Sequence, residues 1–347
     1  ERHITVVPEI EMPGHALAAL SAYPELACTE GPFEPATKWG VFDDVFCPKE
    51  ETFTFLENVL DEVIQLFPSQ YIHIGGDECP KTRWKECAHC QELIRKNNLK
   101  DEHGLQSYFI QRIEKYVNKK GRKIIGWDEI LEGGLAPNAA VMSWTGIKGG
   151  VEAAKTGHFA VMTPGSYCYF DHYQGDPQSE PNAFGGFTPL DKVYSYDPVP
   201  SELNEKQAKY ILGVQANLWT EYIEDFKHVQ YMIFPRLMAL SEVAWGTSDP
   251  KNYKEFENRV VQHFNILDQM SINYAKSIYN ISGNVIPNTN GIAYELSTSQ
   301  NPTGIRYTLE GSEPTFNSPV YQKPIPVSGS SAIKSAYFEN GQLKSAI

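Results

Sequence analysis

Six short runs of β-branched and apolar residues recur along the first 217 positions: HITVVPEIE from residue 3, YIHIG at 71–75, KIIGW at 123–127, AAVMSW at 139–144, FAVMT at 159–163 and ILGVQAN at 211–217. Each has the length of a strand, and helical patterns separate them. Strand, helix and strand repeated in this way build βα units, whose strands lie parallel because each helical crossover returns the chain to the same end of the sheet. The expected fold class is therefore α/β, with more strands than one small domain needs. Between the strands, residues 51–67 place Phe55, Leu56, Val59, Leu60, Val63 and Leu66 at helical spacing, and Pro68 stops them. Residues 105–119 do the same with Leu105, Tyr108, Phe109, Ile113, Tyr116 and Val117, ahead of Gly121. A third helix is expected over 228–245, buried because it is nearly apolar throughout and kinked at Pro235.

After about residue 276 the texture changes to Asn, Gly, Ser, Pro and Thr around short alternating segments such as GIRYTLEG and SAIKSAYF, which predicts a small all-β domain. The 347 residues are 41% hydrophobic, enough for at least one large core. A net charge of -13 with no run of Lys or Arg excludes nucleic acid as a partner. No window approaches the roughly 18 consecutive apolar residues of a membrane span, so no transmembrane segment is expected. The chain opens inside a strand without an initiator Met and ends without a turn, so it is expected to be a fragment whose targeting segment lies upstream. Six cysteines, at 28, 47, 79, 87, 90 and 168, can form disulfides in an oxidising compartment, and Cys28 with Cys47 can close one loop. Cys87 and Cys90 form a C-x-x-C around His89 without a second pair, which favours a structural or free-thiol role over zinc.

In a parallel barrel the C-terminal strand ends share one face, where active sites gather. Here YIHIG is followed by Gly76, Asp77 and Glu78, KIIGW ends in Trp127 ahead of Asp128 and Glu129, and AAVMSW ends in Trp144. The next two ends offer Tyr167, Tyr169 and Asp171 from SYCYFD, then Asn217, Trp219 and Glu221 from QANLWTE. One Trp at a strand end is more often core packing than a ligand contact. Three of the six Trp at such ends point instead to flat faces covering the C–H face of a sugar ring, with carboxylates accepting from its hydroxyls. The adjacent acids Asp77 and Glu78 suit glycoside cleavage, because a general acid must keep its proton near neutral pH and a neighbouring negative charge helps it do so. Gly75 and Gly76 permit the backbone geometry that aims two consecutive side chains into one pocket. The plainer alternative is a solvated acidic loop.

HIGGDE, together with PEIEMPGHALA, GWDEIL, MSWTG, YFDHYQ and LWTE in that order, resembles family 20 of the glycoside hydrolases, the β-N-acetylhexosaminidases, over residues 1 to about 250. The resemblance implies a (β/α)8 TIM barrel that here lacks its first two strands. Residues 1–275 would be a partial catalytic domain holding strands 3 to 8, and residues 276–347 a sandwich-like β domain. An upstream part of the same protein would then be needed to complete the barrel. The implied chemistry is retaining exo-hydrolysis of terminal β-linked N-acetylglucosamine or N-acetylgalactosamine from glycans, with no cofactor and no metal. In it the substrate's own acetamido oxygen attacks the anomeric carbon to form an oxazolinium intermediate. Asp77 would orient the acetamido group, while Glu78 protonates the leaving oxygen and then activates water. Tyr169 would bond the acetamido oxygen; Trp127, Trp144 and Trp219 would wall the pocket; Asp171 and Glu221 would bind outer hydroxyls. His15 and His73 would have supporting roles. Family analogy also implies a periplasmic, secreted or surface-tethered location. The rivals are release of a disaccharide, as by a lacto-N-biosidase, a non-catalytic glycan-binding relative, and a metallohydrolase built on His15, His73 and Asp77.

Overall fold

In the computed structural model, which describes residues 3–246, 251–289, 291–327 and 329–345, β1 (Tyr71–His73), β2 (Lys123–Trp127), β3 (Ala140–Ser143), β4 (Ala160–Met162) and β5 (Ile211–Val214) form one parallel sheet. Their order in the sheet is their order in the chain. The opening segment runs beside β1 in the same sense, since Glu9 bridges His73, and Ile10 and Met12 donate to the carbonyls of His73 and Ile74. All six expected strands therefore lie side by side in chain order, the arrangement of a winding βα fold.

Register decides which side chains reach each face. Ile72 pairs with Ile124, His73 with Ile125, Trp127 with Met142, and Met142 with Val161. Partners in register share a face, so Ile72, Ile74, Ile124, Val141 and Ala160 turn to the helices and are buried among them. Ile125, Trp127, Ala140 and Met142 pack together on the opposite face with Tyr71, Trp144 and Val161. The helical layer contains α1 (Leu17–Ala22), α2 (Glu50–Leu66), α3 (Thr82–Glu86), α4 (Ala88–Lys96), α5 (Glu102–Lys119) and α6 (Lys148–Lys155). In α2 and α5, Leu56, Leu60, Phe109, Ile113 and Val117 are buried in one core with the strand residues. Each such side chain contributes about 1.5–3 kcal/mol. Helix α5 begins three residues before the apolar pattern does, because Asp101 accepts from the N–H groups of His103 and Gly104.

Contacts divide the chain into two compact units, Glu1–Cys168 with Asp197–Gln215, and Tyr169–Tyr196 with Ala216–Ile347. The five-stranded sheet belongs to the first. In the second, the helix expected over 228–245 is two helices, Phe226–Ile233 and Arg236–Trp245, separated at Pro235. Proline lacks the N–H that would continue the first helix, so the chain restarts rather than kinks. Nor is this segment buried throughout: Leu237 and Trp245 are 38% and 91% exposed. The C-terminal region holds two three-stranded antiparallel sheets. One joins Ser282–Asn288, Gly291–Ser297 and Ile325–Val327; the other joins Ile305–Thr308, Lys334–Glu339 and Gln342–Leu343.

Within the second unit Arg236 is completely buried. Its guanidinium donates to the backbone carbonyls of Phe170, His172, Thr188 and Met232 at 2.5–3.1 Å. This fork fixes the loop that carries Tyr169 and Asp171, and no other side chain offers five donors in one plane. Arg236→Leu is expected to cost roughly 3–5 kcal/mol, because it removes charge-assisted bonds and leaves buried carbonyls without donors. Urea unfolding checks this, and a loss below about 1 kcal/mol would show that the carbonyls find other partners.

Candidate active site

Asp77 and Glu78 stand on the loop that leaves β1. Gly75 and Gly76 adopt φ values of 65° and 96°, and Glu78 follows at 41°. The glycines are required sterically as well as conformationally, since a Cβ at 75 would overlap the Glu11 carboxyl and one at 76 would meet Ile130 at 2.4 Å. Glu11 Oε1 accepts from the Gly76 N–H at 2.8 Å, and Gln106 Nε2 donates to the Gly76 carbonyl at 2.7 Å. Burial, reinforced by the Asp77 charge, pushes the Glu11 carboxyl far above the usual carboxylate range, and a side-chain hydrogen bond joins it to Asp77. The shift favours the neutral form of Glu11.

His15, itself at φ 47°, brings Nε2 to 3.3 Å from Glu78 Oε2 and 3.7 Å from Asp77 Oδ2. The neighbouring Asp77 carboxylate holds the imidazole above its ordinary value, against the opposing effect of burial. His73 lies elsewhere, buried against Trp127 with ring centroids 4.7 Å apart and with Nδ1 3.1 Å from Glu9 Oε1. The groups able to share an ion here are His15, Asp77 and Glu78, so the set of His15, His73 and Asp77 is not the one the fold assembles. Trp127 is buried and donates from Nε1 to Glu9 at 3.0 Å; Trp144 is half-buried and donates to Glu129 at 2.9 Å. A cavity of about 530 Å³ opens beside Glu78 and is lined also by Val41, Lys81, Gln106 and Glu129.

The remaining expected residues belong to the second unit. Tyr169 bridges Asn217 in a parallel sense, and the Phe170 N–H donates to the Asn217 carbonyl at 2.7 Å, so the Tyr169–Asp171 and Asn217–Glu221 segments are held together. Asp171 is buried, and desolvation, aided by the Glu221 charge, pushes it up to about 6. Trp219 is 38% exposed and Glu221 lies at the surface. Glu9, Glu11 and Glu129 were not assigned from sequence. Glu9 and Glu11 do stand in the PEIEMPGH segment, on alternate positions beside His15, but only the path of the loop after β1 reveals what they touch. Cys28 and Cys47 are not joined, and none of the six cysteines forms a disulfide.

The sequence matches the family described as glycosyl hydrolase family 20, catalytic domain, over residues 1–248. Residues 287–347 match the chitobiase/beta-hexosaminidase C-terminal domain. A beta-hexosaminidase of Porphyromonas gingivalis is 50% identical over 330 residues, covering 94% of this chain and 42% of the relative. The structure of an exo beta-N-acetylglucosaminidase from Vibrio harveyi in complex with N-acetylglucosamine superimposes with a TM-score of 0.70 at 32% identity, over 79% of this chain and 44% of that one. A beta-N-acetylhexosaminidase structure from Bacteroides fragilis gives 0.67 at 34% identity, over 79% and 55%. The chain spans about half the length of the curated relatives it matches. These likenesses place the parallel sheet in a TIM-barrel fold followed by a β-rich domain.

Burial pushes Glu129 up to about 7. A carboxyl whose folded pKa exceeds its unfolded value binds more protons folded than unfolded between the two. Its contribution to stability is therefore complete below the unfolded value and lost as pH rises through about 7. Glu129→Gln keeps an acceptor for Trp144 and removes this titration. Relative to wild type, the variant is expected to gain roughly 2 kcal/mol between pH 5 and pH 8. Denaturant unfolding at the two pH values measures the gain, and an identical difference at both would refute burial as the cause.

Proposed function

The chain belongs to glycosyl hydrolase family 20, and from that premise we propose that its protein removes terminal β-linked N-acetylglucosamine or N-acetylgalactosamine from glycans, with retention, by substrate-assisted catalysis. The observation that carries this reading is the pair of consecutive carboxylates, Asp77 and Glu78, both reached by His15 Nε2 from one loop. In the proposed reaction the acetamido oxygen attacks the anomeric carbon as the bond to the leaving oxygen breaks. Glu78 delivers its proton to that oxygen, then takes one from the water that opens the oxazolinium ring. Asp77 accepts from the acetamido N–H and faces the positive charge that develops there. The Nε2 edge of His15 approaches both members of this pair and Glu11 interacts with Asp77, which supports their role in orienting it.

Trp127 and Trp144 supply interior aromatic faces at the ends of β2 and β3, and Trp219 a further one. Tyr169 is assigned to the acetamido oxygen, and Asp171 and Glu221 to outer hydroxyls. His73 acts at a distance from the sugar, packing against Trp127 and accepting the Gly75 N–H at Nδ1. We further propose that an upstream part of the same protein completes the barrel. The exposure of Ile4, Val6 and Val7 on the opening segment, at 79%, 57% and 43%, supports this, since a neighbouring strand would cover them.

The test uses the protein with its upstream part, and compares an aryl β-N-acetylglucosaminide with the matching β-glucoside, which lacks only the 2-acetamido group. Turnover of the first alone is expected, with Glu78→Gln slowed by roughly 10²–10⁴-fold. Equal rates on the two substrates would rule out the acetamido group as nucleophile.

A further inference from the structure

Cys28, Cys47, Cys87 and Cys90 converge until their four sulfurs lie within 4.8 Å of one another. Backbone pairing brings them together. Ala27 and Phe46 form an antiparallel bridge and the Cys47 N–H donates to the Leu26 carbonyl at 2.9 Å, which sets Cys28 beside Cys47. Trp84 of α3 donates from Nε1 to the Phe46 carbonyl at 3.1 Å, seating α3 on that ladder. The chain then turns at Cys87 into α4, whose first turn carries Cys90. Cys47 and Cys90 are fully buried, and Cys28 and Cys87 half-buried.

The sulfur geometry distinguishes the possible uses of such a cluster. Cys90 Sγ lies 3.6 Å from Cys28 Sγ and 3.8 Å from Cys47 Sγ. Sulfurs bound to one zinc at about 2.3 Å occupy the corners of a tetrahedron whose edges are about 3.8 Å. A disulfide pairs each sulfur with one partner at about 2.05 Å, whereas Cys90 is nearly equidistant from two. Four soft donors suit zinc and discriminate against hard cations. Four thiolates around a divalent ion carry a net double negative charge, and a cation stands nearby. Lys49 Nζ donates to the Ala27 carbonyl at 2.7 Å, one residue from Cys28.

We propose that Cys28, Cys47, Cys87 and Cys90 bind one structural zinc ion. With four protein ligands the coordination is closed, so the ion braces the fold rather than touching substrate. It cross-links the 28–47 loop to the α3–α4 pair that follows the Asp77–Glu78 loop. Cys79, next to Glu78, packs in the same apolar cluster as Cys47, Cys90 and Trp84. Val41 of the 28–47 loop lines the cavity beside Glu78. The ion thereby steadies one wall of that cavity.

Metal analysis of protein purified without a metal-affinity step tests this directly, and one zinc per chain is expected. Cys90→Ser should reduce that content roughly tenfold or more, while Cys168→Ser, outside the cluster, retains it. Cobalt in place of zinc should give the visible d–d bands of a tetrahedral tetrathiolate, a readout independent of activity. A strong chelator should lower the unfolding midpoint of the wild type and leave Cys90→Ser unchanged. Metal-free protein would overturn the proposal, whether its mass revealed two disulfides among the four cysteines or all four reacted as thiols in the native state.

Discussion

The close approach of the Glu11 carboxyl to the backbone of Gly75 and Gly76 is the contact on which the candidate site depends. The carboxyl occupies the space a side chain at 75 would need, and one of its oxygens takes the Gly76 N–H. An acid 65 residues upstream therefore sets the path of the loop from β1 to Asp77 and Glu78. Burial of that acid favours its neutral form, and the Gly76 N–H satisfies one of its oxygens. The segment around it works as a unit. Glu9 accepts from Trp127, Glu11 holds the loop, and His15 reaches the two acids beyond it.

Acid upon acid would be self-defeating in this region if every carboxyl were ionised. The fold avoids this by desolvating some of them more than others. Glu11 is pushed far above the usual carboxylate range and Glu129 up to about 7. Burial is the larger cause for both, with neighbouring charges the smaller. A general acid needs neighbours arranged in this way. Carboxyls that surrender their charge lower the local negative potential, while those that keep it remain able to accept from sugar hydroxyls and amides.

The strands were legible because a buried parallel strand is an uninterrupted apolar run, and the barrel strand ends could then be searched for chemistry. Asp77, Glu78, Trp127 and Trp144 emerged that way. Glu11 did not, since its environment exists only once β1 has paired with the opening segment and the glycines have turned. Arg236 was likewise hidden in an apolar stretch whose burial was overestimated; its partners are carbonyls, which carry no residue-specific signal. The convergence of the four cysteines was hidden for a related reason. Cys28 and Cys47 supply the second pair that the C-x-x-C lacks, but 18 residues separate them, and only the bridge between Ala27 and Phe46 makes them neighbours.

Consecutive residues of a strand point to opposite faces, so no strand can present Asp77 and Glu78 to one histidine. Both lie within 4 Å of His15 Nε2 because the backbone has already left the strand by way of two glycines in the left-handed region. Glu78 itself, with a Cβ, also has positive φ, a conformation that costs roughly 1–2 kcal/mol. Such strain persists only where the surroundings over-determine the loop. Here the Gly76 N–H and carbonyl are each bonded to a side chain, Gly14 packs so closely that a Cβ there would meet the Asp77 carbonyl at 2.9 Å, and Cys79 is buried immediately after. The loop is thus clamped on both sides of the strained residue. That clamping is what allows two adjacent carboxyls to approach one histidine, which a relaxed extended chain could not achieve.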